Sequence, residues 1–327
     1  MNMKIGSLPH GAGNRITDVP GVRVGHCTVD EGNCHTGVTV VMPPVRNPYT
    51  DKLTAASCVF NGYGKTLGLV QVDELGTLET PIALTNTLNV GRVHDAMVSW
   101  MLKTCEEDGI RLTSVNPVVC ECNDSRISEI ARRPVGEREV FDAIASASEA
   151  FEQGAVGAGR GTVCYGMKGG IGSSSRRMEL DGQVYTMGVL VQSNYGASSD
   201  FRQVCLPEGL SESDQGSIIL IVATDLPLSS RQLRRVLRRT SVGMARLGSY
   251  IGHGSGEIAV GFTTAPRENH GSFRIETVLQ EDRMNLPFRA AGECAEEAIL
   301  QSLWNAQPDT ALDGSPVPSL HRFLKKL

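Results

Sequence analysis

The segment that most constrains this chain lies at residues 248–262. There Gly248-Ser249-Tyr250-Ile251-Gly252-His253-Gly254-Ser255-Gly256-Glu257 runs directly into the β-type stretch Ile258-Ala259-Val260-Gly261-Phe262. A hydroxyl residue stands between two glycines at the mouth of a strand. Glycines permit strained or positive-φ backbone and leave the neighbouring peptide groups uncrowded. Such a site suits a chain that attacks its own Gly254–Ser255 peptide bond and leaves Ser255 as a new N-terminal residue. That residue would carry its own base, because a free α-amine titrates near ~7.7 and can take the hydroxyl proton. The same residues also read as an ordinary glycine loop before a strand, so the rest of the chain has to decide.

Composition narrows the class. The chain has 327 residues, of which 40% are hydrophobic and 20% charged, and 36 are glycine. This is ordinary globular composition; the length suits one large α/β domain or two domains, and the glycine count points to tight turns or close backbone approaches. A net charge of −5 argues against nucleic acid as the main partner. Residues Met1–Pro9 contain Lys4 and little apolar length, so neither a signal peptide nor a membrane helix is expected and the cytoplasm is the default location. The nine cysteines and seven histidines show no Cys-x-x-Cys, His-x-x-x-His or His-Glu-x-x-His spacing. Reduced, mostly buried thiols and no metal site are expected.

In chain order, turn-punctuated Val/Thr runs at 16–41 read as strands, with His26 and His35 as structural residues. Apolar runs follow at Thr66–Val72 and Ile82–Leu88, then a helix carrying Val93, Met97, Met101 and Cys105. Pro117–Cys120 leads as a short strand into Glu121-Cys122-Asn123-Asp124-Ser125, and a second amphipathic helix is expected over roughly 138–152. Residues 153–176 are the glycine-densest region. They fit neither the dinucleotide nor the phosphate-loop pattern, since Gly157-x-Gly159-x-Gly161 has the wrong spacing and Lys168 precedes Gly169. Dense glycine around Tyr165 suggests backbone packed against a small substrate. Ser217–Ala223 reads as a buried central strand. Pro227 introduces one helix with a basic face (Arg231, Arg234, Arg235, Arg238, Arg239), expected to be solvated or intersubunit. A last helix carries Glu293, Glu296 and Glu297 on one face. Strands alternating with long helices indicate a layered α/β architecture.

The succession of motifs resembles the L-aminopeptidase D-Ala-esterase/amidase family, which includes the β-peptidyl aminopeptidases. The matching blocks are Ile16–His26, Leu84–Thr87, Val156–Gly159, Tyr165–Gly172, Ala223–Leu228, Gly254–Gly256 and Glu296–Ile299, in family order over nearly the whole chain. The resemblance implies an αββα-layered N-terminal-nucleophile hydrolase fold of the kind shared with ornithine acetyltransferases. It implies a single catalytic domain, self-cleaved into residues 1–254 and 255–327 that remain associated, usually as a homotetramer of such heterodimers. The activity implied is release of N-terminal residues from small peptides, amides or esters, without metal or cofactor.

Carried onto this sequence, Ser255 matches the nucleophile, and Tyr165 and Asn194 match positions at the substrate carbonyl. The family's Ser-x-Glu pair near the nucleophile's amine falls on Cys294-x-Glu296, with a thiol in place of the hydroxyl. Gln153 stands where a glutamate is expected to receive the substrate's ammonium group, and Arg160 adds a cation to the same glycine loop; Glu152 is the nearest substitute carboxylate. Cys122 and Ser125 depart from the usual Thr and Gly around Asn123-Asp124. These departures leave two alternatives: an amidase or acyltransferase for substrates without a free α-amine, or a non-catalytic, uncleaved binding or assembly protein.

Overall fold

The computed structural model of the chain describes residues 5–207, 209–211 and 214–324. The early Val/Thr runs form an antiparallel hairpin of β1 (Arg23–Glu31) and β2 (Cys34–Met42). Next come β3 (Leu53–Gly62), helix α1 (Leu69–Leu75), β4 (Thr77–Leu78), β5 (Ile82–Asn86), α2 (Val90–Glu107), β6 (Val118–Cys122) and α3 (Glu137–Ala145). The glycine-dense region contributes the tiny hairpin β7 (Val163–Cys164) and β8 (Met167–Lys168), then the long strands β9 (Gly170–Leu180) and β10 (Gln183–Asn194). The C-terminal part supplies β11 (Gln215–Thr224), α4 (Ser230–Leu237), α5 (Thr240–Arg246), β12 (Gly254–Thr263) and α6 (Asn285–Asn305).

Two large sheets result, one ordered β1-β2-β5-β6 and the other β4-β3-β12-β11-β10-β9. They stack face to face because their strands are apolar on both sides. On β11, Ile219 and Ile221 join Leu84, Val118 and Cys120 of the other sheet, whereas Ile218, Leu220 and Val222 meet the helices α4 to α6. On the far side, α2 and α3 cover the four-stranded sheet through Val93, Met97, Val140 and Ala143. The order of layers is therefore αββα, as the motifs implied. Gly172 permits one close approach: a methyl group there would lie 2.0 Å from the Ala298 carbonyl oxygen of α6.

Two segments differ from their sequence reading. Helix α3 ends at Ala145 because Ser146 Oγ donates to the Ala143 and His26 carbonyls and Ser148 bridges to Val24 on β1. The apolar run 66–72 supplies one bridge at Leu67 and the start of α1. The basic helix after Pro227 is broken into α4 and α5, and its arginines pair within the chain. Arg231 and Arg235 meet Glu281, and Arg234 meets Asp73 at 2.9 Å. The Arg239 guanidinium lies 4.1 Å from the centre of the Phe288 ring.

Candidate active site

One end of the sandwich gathers the polar residues. There the C-terminal ends of β3, β5, β6 and β10 meet the starts of β11 and β12. A cavity of about 510 Å³ opens between them, lined by Tyr63, Lys65, Glu121, Asn123, Arg126, Asn194 and the backbone at Gly216 and Gly254, among others.

Each group has a structural reason for its place. Glu121 is the penultimate residue of β6 and is buried; Lys65 N–H donates to its Oε1 at 2.9 Å and the Thr87 hydroxyl to its Oε2. Asn194 ends β10, where the Val163 N–H donates to Oδ1 at 2.9 Å, so the side-chain Nδ2 remains as a donor at the cavity wall. Val163 is fixed in turn by Lys168, whose buried ammonium donates to the carbonyls of Gly159, Thr162 and Gly169 at 2.9–3.1 Å. Burial and the nearby Arg160 push the Lys168 pKa down to about 7. Beneath Asn123, the Asp124 carboxylate accepts from Asn86 Nδ2 at 3.0 and 3.1 Å, and burial raises its pKa to about 6.

Ser255 is fully buried at the start of β12, opposite Gly216 of β11. Strand alternation sends Ile258 and Val260 into the intersheet core and Ala259 toward the helices. Ser255 and Glu257 share the face of Ala259, while Gly254 and Gly256 face the cavity side. A methyl group on Gly256 would lie 2.7 Å from the Tyr63 carbonyl oxygen and 3.0 Å from Ser217 Oγ, so only glycine fits. Neither flanking glycine uses the positive φ open to it; the left-handed residues of this loop are Gly248 (φ 111°) and the β-branched Ile251 (φ 60°). A non-glycine residue held there stores ~1–3 kcal/mol. Two side chains clamp the loop. Asp214 accepts from Gly196 N–H at 3.0 Å and Gly252 N–H at 2.9 Å, and Asn61 Nδ2 donates to the carbonyls of Gly252, His253 and Ser255.

The other sequence-derived site residues are not gathered here. Tyr165 (φ 52°) lies under the cavity, with its hydroxyl 3.3 Å from that of Tyr195 and its ring against Phe201, and burial raises its pKa. Its neighbour Gly166 reaches the cavity wall instead. Cys294 and Glu296 belong to α6, which runs along β9 and β10, and they lie near its middle, toward the end of the sheet away from Ser255. The Cys294 thiol meets the Met187 carbonyl at 3.5 Å. Met187 aligns through Thr224 with Thr263, eight residues or about 26 Å along β12 from Ser255. Glu296 pairs with Arg246 of α5 at 3.0 Å. Gln153 Oε1 accepts from Ser173 N–H at 2.7 Å, a point aligned through Leu190 and Ile221 with Val260. That is five residues, about 16 Å, beyond Ser255. The Glu152 carbonyl accepts from His26, and Arg160 is held by Asp30 and Asp309. None of the five lines the cavity. The residue missed was Glu121; its signal was a polar run at the end of an otherwise apolar strand.

Among the described residues no three His, Cys, Asp or Glu side chains are grouped to hold a metal ion, and no helix is long and apolar enough to cross a membrane.

Comparison with known proteins accounts for this arrangement. Residues 14–317 match the model of Peptidase family S58. The chain is 34% identical to the β-peptidyl aminopeptidase BapA of Sphingosinicella xenopeptidilytica, over 96% of this chain and 88% of that protein. A crystal structure from Pyrococcus horikoshii OT3 superposes with a TM-score of 0.91 at 42% identity, covering 99% of this chain and 97% of the other. The L-aminopeptidase D-Ala-esterase/amidase of Ochrobactrum anthropi, a serine aminopeptidase with a variant of the Ntn-hydrolase fold, superposes with a TM-score of 0.86 at 31% identity, covering 95% and 91%. The chain thus belongs to Peptidase family S58 and is a hydrolase of the aminopeptidase and amidase kind.

Proposed function

We propose that the chain cleaves itself between Gly254 and Ser255, and that Ser255, then N-terminal, is the nucleophile that releases N-terminal residues from short peptides, amides or esters. The observation that carries this reading is the cavity meeting β12 at Gly254, with the Glu121 carboxylate and the Asn194 amide on its walls. In the uncut chain the backbone through Gly254 stands between the cavity and the buried Ser255 hydroxyl, and its release opens that path. The freed α-amine then accepts the hydroxyl proton as Oγ attacks the substrate carbonyl. Asn194 Nδ2 donates to the developing oxyanion, a contact of a kind that contributes about 3 kcal/mol. Glu121 receives the substrate's ammonium group, in place of the carboxylate sought at Gln153, so a free amine is required after all. β-Aminoacyl substrates belong in the test panel because one relative is a β-peptidyl aminopeptidase. The two pieces stay together and assemble as a homo-oligomer, which light scattering of the purified protein would measure.

The test is intact mass beside activity. Wild type is expected to separate under denaturing conditions into residues 1–254 and 255–327, and Ser255→Ala to remain whole, folded and inactive. A wild-type chain that stays whole yet hydrolyses aminoacyl p-nitroanilides would overturn the reading.

A further inference from the structure

The α-amine that serves as base in the mature site does not exist before cleavage, because in the precursor that nitrogen is the amide of the bond to be broken. Another proton acceptor is needed for the first event, and β12 holds one. Glu257 lies two residues after Ser255 on the same face of the strand, and both side chains are fully buried. Ser255 Oγ, Glu257 Oε1 and Glu257 Oε2 all lack a hydrogen-bond partner of normal geometry. Three buried polar atoms left unsatisfied side by side are rare in folded proteins. Side chains two residues apart on one face of a strand are neighbours, and the Ser255 hydroxyl favours the charged form of Glu257.

We propose that Glu257 is the general base of self-cleavage, an inference that rests on Ser255 being the nucleophile. The Glu257 carboxylate takes the Ser255 Oγ proton as Oγ forms a bond to the Gly254 carbonyl carbon. The tetrahedral species collapses by breaking the Gly254–Ser255 C–N bond, and the protonated Glu257 returns its proton to the departing nitrogen. The product is an ester between Gly254 and Ser255 Oγ, with a free Ser255 amine. Water then adds to the ester carbonyl, giving the Gly254 carboxylate and restoring the hydroxyl. Glu257 is thereby catalytic for maturation, a step separate from peptide turnover.

The surroundings suit this task. Burial raises the Glu257 pKa to about 7, and Asp214 at the head of β11 adds to the rise. Its strand neighbours are uncharged: Asn61 on β3 and Ile218 on β11. From the helix layer, Arg238 reaches Cys58, which pairs with Ala259, two residues further along β12. His253 on the cleavage loop is exposed and lies against Tyr63. A base with its pKa near the working pH combines proton affinity with availability. Because the group must be ionised to accept a proton, cleavage should be slow below pH 7 and level off above it.

The experiment is a chase. The full chain is made by cell-free translation, synthesis is stopped, and conversion to the 1–254 and 255–327 fragments is followed on denaturing gels from pH 5.5 to 8.5. Wild type, S255A, E257Q and E257D are compared, with melting temperatures of the uncut chains. E257Q should slow cleavage 100-fold or more and flatten the pH profile, while melting with S255A. E257D, a carboxylate one methylene shorter, should recover part of the rate. Cleavage of E257Q at the wild-type rate, or with the wild-type pH profile, overturns the proposal. Loss of cleavage in both Glu257 variants together with melting well below S255A also overturns it, because that is a packing defect. Cleavage of wild type but not S255A leaves the Ser255 reading standing whatever Glu257 does.

Discussion

At the scale of single residues, the proposed recognition of an ammonium group turns on Glu121 rather than on the glycine loop. A charge-assisted hydrogen bond is worth ~1.5–3 kcal/mol and a neutral one about 1. Glu121→Gln should therefore lower kcat/KM for alanine p-nitroanilide about tenfold, mostly through KM because the contact exists before and during reaction. The N-acetyl form should be little affected. Gln153→Glu should leave the preference for a free amine unchanged, since its side chain is engaged with Ser173 at a distance from Ser255. A large gain in that preference would show the sandwich end to be misread. Ser255 was proposed from the sequence because glycine spacing and hydroxyl chemistry are local properties. Glu121 was not, since its role depends on β6 ending beside β12, which no spacing within either segment records. Cys294 and Glu296 were misplaced for the same reason: neighbours of Ser255 are chosen by the sheet register, and α6 lies over other strands.

Among the elements, the buried run of β11 was legible as a central strand and the alternation of strands with helices as a layered α/β architecture, whereas the αββα order came from the family resemblance. Helix limits were less legible. Ser146–Ser148 carries no helix breaker, yet β1 claims its hydrogen bonds. Glu293, Glu296 and Glu297 were read as one acidic face of α6, and two of these carboxylates enclose Arg176. That guanidinium is fully buried on β9 and pairs with Glu293 at 3.2 Å and Glu297 at 2.7 Å, while Ser7 and Leu8 N–H donate to Glu293 at 3.0 Å. The cluster fastens the N-terminal arm to α6 and β9 together. Arg176→Met would leave two buried carboxylates without their cation, a loss of ~3–5 kcal/mol for a broken buried pair. Thermal melting should fall accordingly and limited proteolysis should reach residues 5–14 first. Unchanged melting would mean that the carboxylates find protons or water instead.

For the whole molecule, the position of β12 decides what a cut at its first bond can do. It lies inside the six-stranded sheet, parallel to β11 on one side and antiparallel to β3 on the other. The fragment 255–327 would contribute that strand together with α6, so the severed chain keeps its core contacts and need not separate in solution. Unfolding is another matter. A single chain returns to its fold by collisions with itself, whereas two pieces must find each other first, and each alone exposes edges that invite wrong partners. The mature enzyme should therefore refold after heating with a yield that depends on dilution, while uncut Ser255→Ala recovers independently of it. Maturation of this kind works as a ratchet: the molecule is assembled once, under the conditions of its synthesis, and its working lifetime is set by how slowly it comes apart.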